Sequence, residues 1–297
     1  MDRIEGIRAF LAVAEASSFT KAADVLGLPP SLVTKRVAQL EQALGVTLLH
    51  RTTRKVSLSG DGEYHLERLK STVRTYDEAV MAIRRGPEKL TGSLRIKVPL
   101  TLSMVRLERP LLQFARDHPD VNLEILLMDG PLNPAAEGVD IAVTAFPATF
   151  DHVIDEFLWP LKRSLYASPA YLESQAPMQH PRTLDHMDAL VYQPTGATWS
   201  FLGDSGVVSV TVNAKLTSNN MPMLVRAAEE GAGVGLFSDY VAADAESRGS
   251  LVRVLLDFPV PDLWIKAMIP EGRLPLPRVQ AALQMLKALN GKADPVP

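Results

Sequence analysis

Apolar residues recur at helical spacing from the start of the chain, where Ile4, Ile7, Phe10, Leu11 and Ala14 draw one stripe along a predicted first helix. Thr20 is placed to cap a short second helix that runs through Leu26 and stops at Gly27, a residue free to take the left-handed backbone that ends helices. A third helix opens at Pro30, whose missing N–H costs nothing in a first turn. Its buried stripe is Val33, Val37, Leu40 and Leu44, which leaves Ser31, Thr34, Lys35 and Ala38 together on a second face that is small, polar and basic. Two short helices joined by a tight Gly-containing turn, the second carrying such a face, form the pattern of a helix-turn-helix.

After Gly45, the stretch VTLLHRTTRKVSLSGDG flanks Arg51, Thr52, Thr53, Arg54 and Lys55 with β-branched and apolar residues, which predicts a two-stranded wing with a basic tip. A longer helix follows from Ser59 to about Arg85. Leu66, Leu69, Val73, Tyr76, Val80 and Ile83 advance alternately by three and four, a heptad seam that calls for a partner helix. At 1.5 Å per residue it spans roughly 40 Å. Gly86-Pro87 breaks it and begins a linker to Thr91-Gly92. SLRIKVP, a helix from about Thr101 to Arg116, VNLEILLM and DIAVTAF then alternate as in a parallel sheet covered by helices. The pattern restarts near Leu161 with KRSLYASPAYL, DALVYQP, VVSVTVNAKL, a helix from about Met221 to Glu230, and GVGLFS, so a second α/β unit is expected. LVRVLLDFPVPDLWIKAMIP and a last helix, Leu276 to Leu289, read as a crossing back to the first unit.

Composition narrows the class. The 297 residues are 46% hydrophobic and 22% charged, the profile of a folded chain of two or three domains. There is no cysteine, so disulfides, cysteine nucleophiles and thiolate zinc sites are excluded, which fits a reducing cytosol. Asp2, Arg3, Glu5, Arg8 and Glu15 interrupt the first apolar pattern and no uncharged run of about 18 residues occurs, so neither signal peptide nor membrane span is expected. The net charge of −3 hides an asymmetry: +3 through Leu90 and −6 beyond it. A basic head on an acidic body suggests that only the head meets a polyanion.

These residues resemble the LysR-type transcriptional regulators. The likeness rests on IRAFLAVAEASSFTKAADVLGLPPSLVTKRVAQLEQALGVTLLHRTTRKVSLSGDG, then GSLRIKVP, VNLEILL, EGVDIAV, LYASPAYL and EEGAGVGLFSDYVA, and it covers nearly the whole chain. The resemblance implies a winged helix-turn-helix over residues 1–58, a dimerising linker helix and hinge over 59–90, and a regulatory domain over 91–297 like a periplasmic binding protein. That domain would hold two Rossmann-like subdomains, one of about 91–160 and 266–297, the other of about 161–265. A homotetramer, RNA polymerase as a further partner, and no cofactor are also implied. Two positions depart from the family pattern: Pro29 stands where many members place a small polar cap, and Thr144 follows DIAV where many place an arginine.

Candidate DNA contacts are Thr20, Pro30, Ser31, Thr34, Lys35, Arg36, Arg51, Arg54 and Lys55, with the third helix reading bases in the major groove and the wing meeting phosphates. Effector contacts are expected in a cleft between the α/β units, near Leu100, Thr101, Ser103, Thr144, Phe146, Trp199, Ser218, Asn219, Asn220 and Met221. Strands there give way to helix N-termini, which suits a small carboxylate, and the missing arginine at Thr144 favours a mono-anionic or partly apolar one. Thr101 and Asn220 have the plainer reading that they only cap their helices.

Other motifs point elsewhere less well. Gly203-Asp204-Ser205-Gly206 spells a serine-protease nucleophile motif but sits in an α/β pattern and also makes an ordinary turn. Gly231-Ala232-Gly233-Val234-Gly235 resembles a dinucleotide loop, yet a helix precedes it and a strand follows, the reverse of a phosphate cradle. His180 and His186 lack metal-ligand spacing. A DNA-binding regulator that senses a small molecule therefore leads, ahead of a solute-binding or enzymatic α/β protein without specific DNA binding.

Overall fold

The computed structural model describes residues 3–51, 56–85, 90–128, 130, 132–204 and 206–290. The chain divides into two compact units, Met1–Lys89 with Ala135–Val139, and Leu90–Pro134 with Asp140–Pro297.

In the first unit, α1 (Arg3–Ala16), α2 (Phe19–Leu26) and α3 (Pro30–Leu44) close around Phe10, Val13, Ala22, Ala23, Val33, Val37 and Leu40, all nearly inaccessible. Fully burying side chains of this kind stabilises by roughly 1.5–3 kcal/mol each for the larger ones. Ser18, rather than Thr20, caps α2: its backbone is extended and its hydroxyl accepts from the Lys21 amide at 3.3 Å. Thr20 already lies inside the first turn, where a side chain no longer sits ahead of the free amides. Gly27 ends the helix at φ 63°. Leu44 leaves the expected stripe and is 49% exposed, since it is the last residue of α3 and Gly45 turns the chain away there.

The wing is β1 (Leu49–Arg51) paired antiparallel with β2 (Val56–Leu58). Its tip residues, Arg54 and Lys55 among them, lie outside the described residues. Buried Ser59 ties the wing to α4 (Gly60–Arg85): its hydroxyl donates to Thr47 O and accepts from the Gly62 amide. A Cβ at Gly62 would fall 2.1 Å from Leu48 O, so only glycine permits this approach. Along α4, Val73 is buried in the head's own core and Leu66 and Leu69 pack against it, so this half of the heptad seam is covered by its own domain. Arg8 pairs with Asp77 along the same contact, and Tyr76 stays 47% exposed.

The second unit runs β3 (Gly92–Val98), α5 (Leu100–Leu102), a π-helical turn Ser103–Leu107, α6 (Glu108–Asp117), β4 (Val121–Leu127), β5 (Ile141–Thr144), β6 (Val153–Leu161), β7 (Arg163–Ala167) and α7 (Pro169–Glu173). It continues through β8 (Ala189–Tyr192), β9 (Thr198–Gly203), β10 (Gly206–Thr211), β11 (Ala214–Ser218), α8 (Met221–Glu229), β12 (Val234–Ser238), α9 (Asp239–Ser247), β13 (Val252–Val254), β14 (Leu263–Pro270) and α10 (Pro277–Lys287). Two five-stranded sheets result, ordered β4-β3-β5-β14-β6 and β11-β8-β12-β7-β13.

Neither sheet is purely parallel, which corrects the expectation from alternation alone. β14 runs antiparallel to β5 and β6, and β7 runs antiparallel to β12 and β13. These strands follow the two crossings between sheets, at Lys162 and ahead of Leu263, and enter at the edge where the parallel strands finish. The stretch VVSVTVNAKL also divides, β10 folding back on β9 as a separate hairpin and β11 joining the main sheet. Leu94, Ile96, Leu111, Ile141, Val143 and α10 build the first core; Leu165, Val191, Trp199 and Phe201 build the second on one face of its sheet, with Leu190, Leu224 and Phe237 on the other.

Candidate nucleic-acid interface and effector cleft

On α3, Pro30, Ser31 and Lys35 are exposed and Thr34 is half-buried, opposite the stripe that anchors the helix. Thr34 Oγ1 donates to Pro30 O at 2.9 Å, so its proton is engaged within the helix and its lone pairs and methyl group are what it can offer outward. Lys35 has no ion-pair partner among the described residues. Arg36 is otherwise occupied, its Nη1 lying 2.8 Å from Glu5 Oε2 on α1. Thr20 is exposed in the first turn of α2.

Arg51 is held on two sides. Its Nη2 lies 3.2 Å from Glu41 Oε2 and its guanidinium sits 4.5 Å from the centre of the Phe19 ring. The other oxygen of Glu41 accepts from the Leu48 and Leu49 amides at 2.9 and 3.1 Å. One carboxylate thus fastens the wing to the end of α3 and takes up part of the wing's charge, a role no periodicity in the sequence signals.

In the second unit, a cleft lies between the two sheets. Pro99 and Thr101 follow β3, Ala145 and Phe146 follow β5, Tyr192 ends β8 and Thr195 follows it, and Ser238 and Tyr240 close β12 and open α9. Arg163, Leu263 and Ile265 come from the first residues of the antiparallel strands β7 and β14. Ligands of open α/β sheets bind beyond the carboxyl ends of strands, and antiparallel strands add their beginnings to that edge.

Of the sequence-predicted effector residues, Thr101, Phe146 and Met221 line this cleft. Thr144 is fully buried, its Oγ1 accepting from the Phe146 amide at 3.1 Å. Trp199, on β9, is 2% exposed and packed in the second core, away from the cleft lining. Asn220 caps α8 by accepting from the Met223 amide at 3.1 Å, and Ser218 accepts from the Asn220 amide. Leu100, Ser103 and exposed Asn219 border the same strand ends without lining the cavity.

Arg163 is the residue that the sequence reading misses. Its Nη2 donates to Pro261 O at 3.0 Å, while its Nε is shut off from solvent with no hydrogen-bond partner among the described residues. Burial pushes the guanidinium below its usual range, and the charge of Asp262 works against that shift. An unpaired buried donor costs about 1–3 kcal/mol.

The remaining motifs have structural roles. His180 accepts from the Arg182 amide and packs edge-on to Phe258, and His186 is exposed beside Asp185. Gly233 lies where a Cβ would fall 2.2 Å from Asp188 O, between α8 and β12. Ser205 lies outside the described residues. No described helix is long and apolar enough to cross a membrane.

Known proteins resemble this chain along nearly its whole length. Residues 4–63 match the model of the bacterial regulatory helix-turn-helix protein, lysR family, and residues 87–290 match the LysR substrate binding domain. An HTH-type transcriptional regulator of Xanthomonas campestris pv. campestris is 30% identical over 96% of this chain and 85% of its own. The HTH-type transcriptional regulator PtxR of Pseudomonas aeruginosa is 30% identical over 96% of this chain and 92% of its own. The full-length structure of the Vibrio cholerae virulence activator AphB, 22% identical, superposes with a TM-score of 0.63 over 96% of this chain and 98% of that one.

Proposed function

This chain belongs to the LysR family of DNA-binding transcriptional regulators, with a helix-turn-helix head and an effector-binding domain, and from that premise we propose how it acts. Working on double-stranded DNA in the cytoplasm, it binds an imperfect inverted-repeat operator as a dimer or tetramer. Residues 1–58 form the head, 59–90 the linker and 91–297 the effector domain. Helix α3 enters the major groove with Pro30, Ser31, Thr34 and Lys35 nearest the bases, and Arg51, Arg54 and Lys55 meet phosphates. Arg36, paired with Glu5, serves the fold first. Pairing of α4 with a second copy uses Tyr76 and Val80, the seam positions beyond the ones that the head covers. A small organic acid enters the cleft between the sheets, shifts the balance of its open and closed forms, and so tunes operator binding and the encounter with RNA polymerase.

The observation that supports this reading best is α3 itself: Val33 and Val37 are fully buried on one face while Ser31 and Lys35 stand exposed on another. Relatives across nearly the full length are named transcriptional regulators, which speaks for a regulator over a solute-binding protein or enzyme. Selection of genomic fragments by the full chain, followed by footprinting, tests it. Enrichment of inverted repeats that Lys35→Ala no longer selects is the expected outcome; fragments without a common repeat would overturn the operator model.

A further inference from the structure

We propose that Arg163 is the anion anchor of the cleft and that it selects a singly charged carboxylate with an apolar body. The inference rests on the reading of this cleft as the effector site and names the chemistry that the site takes. Among the described residues that line the cavity, Arg163 is the one charged side chain; no carboxylate faces it there. Thr101, Thr195 and Ser238 supply hydroxyls, and Leu161, Leu263 and Ile265 supply apolar wall.

The state of the guanidinium points the same way. One end is pinned, with Nη2 donating to Pro261 O, and Nε is closed off from solvent and has no acceptor among the described residues. Desolvation disfavours its charge and Asp262, itself exposed, compensates from nearby. A carboxylate entering the cleft would add to the counter-charge of Asp262 and bring an acceptor to a donor left unmatched among the described residues, after a small rotation of the side chain. Charge-assisted pairs of guanidinium and carboxylate are among the strongest hydrogen bonds available. A second carboxylate on the ligand would meet no further cation among the described lining residues and would be buried unpaired. That selects against diacids.

Arg163 also has the right support for this task. It opens β7, pairs in register with Ser238 of β12, and stands directly after the crossing from β6, so an anion held there touches the strand that links the two sheets. This gives ligand charge a direct mechanical connection to the crossing.

Calorimetry on the full chain with hexanoate, hexanamide, benzoate, benzamide and adipate tests the assignment. The expected result is that one or both monoacids bind about tenfold or more tightly than their amides and more tightly than adipate, and that Arg163→Gln makes acid and amide equal. Should R163Q not fold, Arg163→Lys replaces it, with acid affinity falling several-fold and amide affinity unchanged. Leu161→Trp, which fills the cleft, separates the two layers of the inference. If L161W blocks binding and R163Q retains the acid preference, the anchor is wrong and the cleft reading stands. If L161W leaves binding intact, the cleft reading fails and the anchor with it. Absence of binding by either monoacid, or equal affinity for acid and amide in the natural chain, also overturns the proposal.

Discussion

Replacing Glu41 with Gln removes one negative charge from α3 while keeping a carbonyl oxygen where the Leu48 and Leu49 amides donate. Arg51, now 3.2 Å from Glu41 Oε2, would lose its charged partner and keep only the Phe19 ring. The pair is partly exposed, so its net worth is on the order of 1 kcal/mol, which as freed binding energy is about fivefold in affinity for any DNA. An arginine newly available to one phosphate also steepens the dependence of log K on log salt by up to about 0.9. The gain has a cost in the fold, because backbone bonds to a neutral oxygen are weaker than those to a carboxylate, about 1–3 kcal/mol for the two together. Titration of operator and random duplexes at several salt concentrations, with E41Q, R51A and the double mutant, reads both effects. The expected pattern is a sequence-independent gain in E41Q that vanishes when Arg51 is absent. An equal gain in the presence of R51A would show that net charge alone is responsible and would refute the clamp.

Thr34→Ala and Lys35→Ala should each weaken operator binding by about 1–3 kcal/mol and alter the ranking of operator variants; an unchanged ranking removes them as base readers. Tyr76→Glu should lower the dimer population in sedimentation while leaving the head folded, whereas Leu69→Glu should lower the melting temperature by invading the head's core, and the reverse assignment would sink the division of the seam. Tyr166, buried with its hydroxyl donating to Asp239 and Glu246, has its phenol pushed up by burial and by those carboxylates. The folded state therefore keeps a proton that the unfolded chain releases near pH 10, so stability is full below about pH 10 and falls above it, and Tyr166→Phe should flatten that fall in denaturant titrations.

Much of the head is legible in the sequence because its signals are local. The glycine stops at Gly27 and Gly45, the proline start at Pro30 and the Val33–Val37–Leu40 stripe each act within one or two turns, and the structure has all of them. Thr20 misleads because two hydroxyls, Ser18 and Thr20, stand near the same helix start, and only backbone conformation decides which lies ahead of the free amides. The seam misleads for another reason. A heptad pattern demands an apolar partner but does not say whose, and α1 supplies one for Leu66, Leu69 and Val73 within the same chain.

The cleft was harder to read because strand direction is a non-local property. With every strand taken as parallel, the site draws only on strand ends, which leads to Thr101, Phe146 and Met221 and overlooks the beginnings of β7 and β14. Trp199 fails similarly, since β9 turns into a hairpin that carries its indole into the second core. The antiparallel strands also explain where the charge resides. The family resemblance implies an arginine after DIAV; here that position, on the first sheet, is Thr144, buried and engaged with the Phe146 amide, and the cationic side chain among the described cleft residues comes from β7 of the second sheet. On the proposed reading, a carboxylate held by Arg163 would lie against the second sheet, with its apolar body extending toward Phe146, Leu263 and Ile265 of the first. Closure of the two sheets on such a ligand would bury that body on one side and its charge on the other. Affinity for a closed form would then require both ends of one molecule, and an acid too short to reach the first sheet would bind without favouring closure.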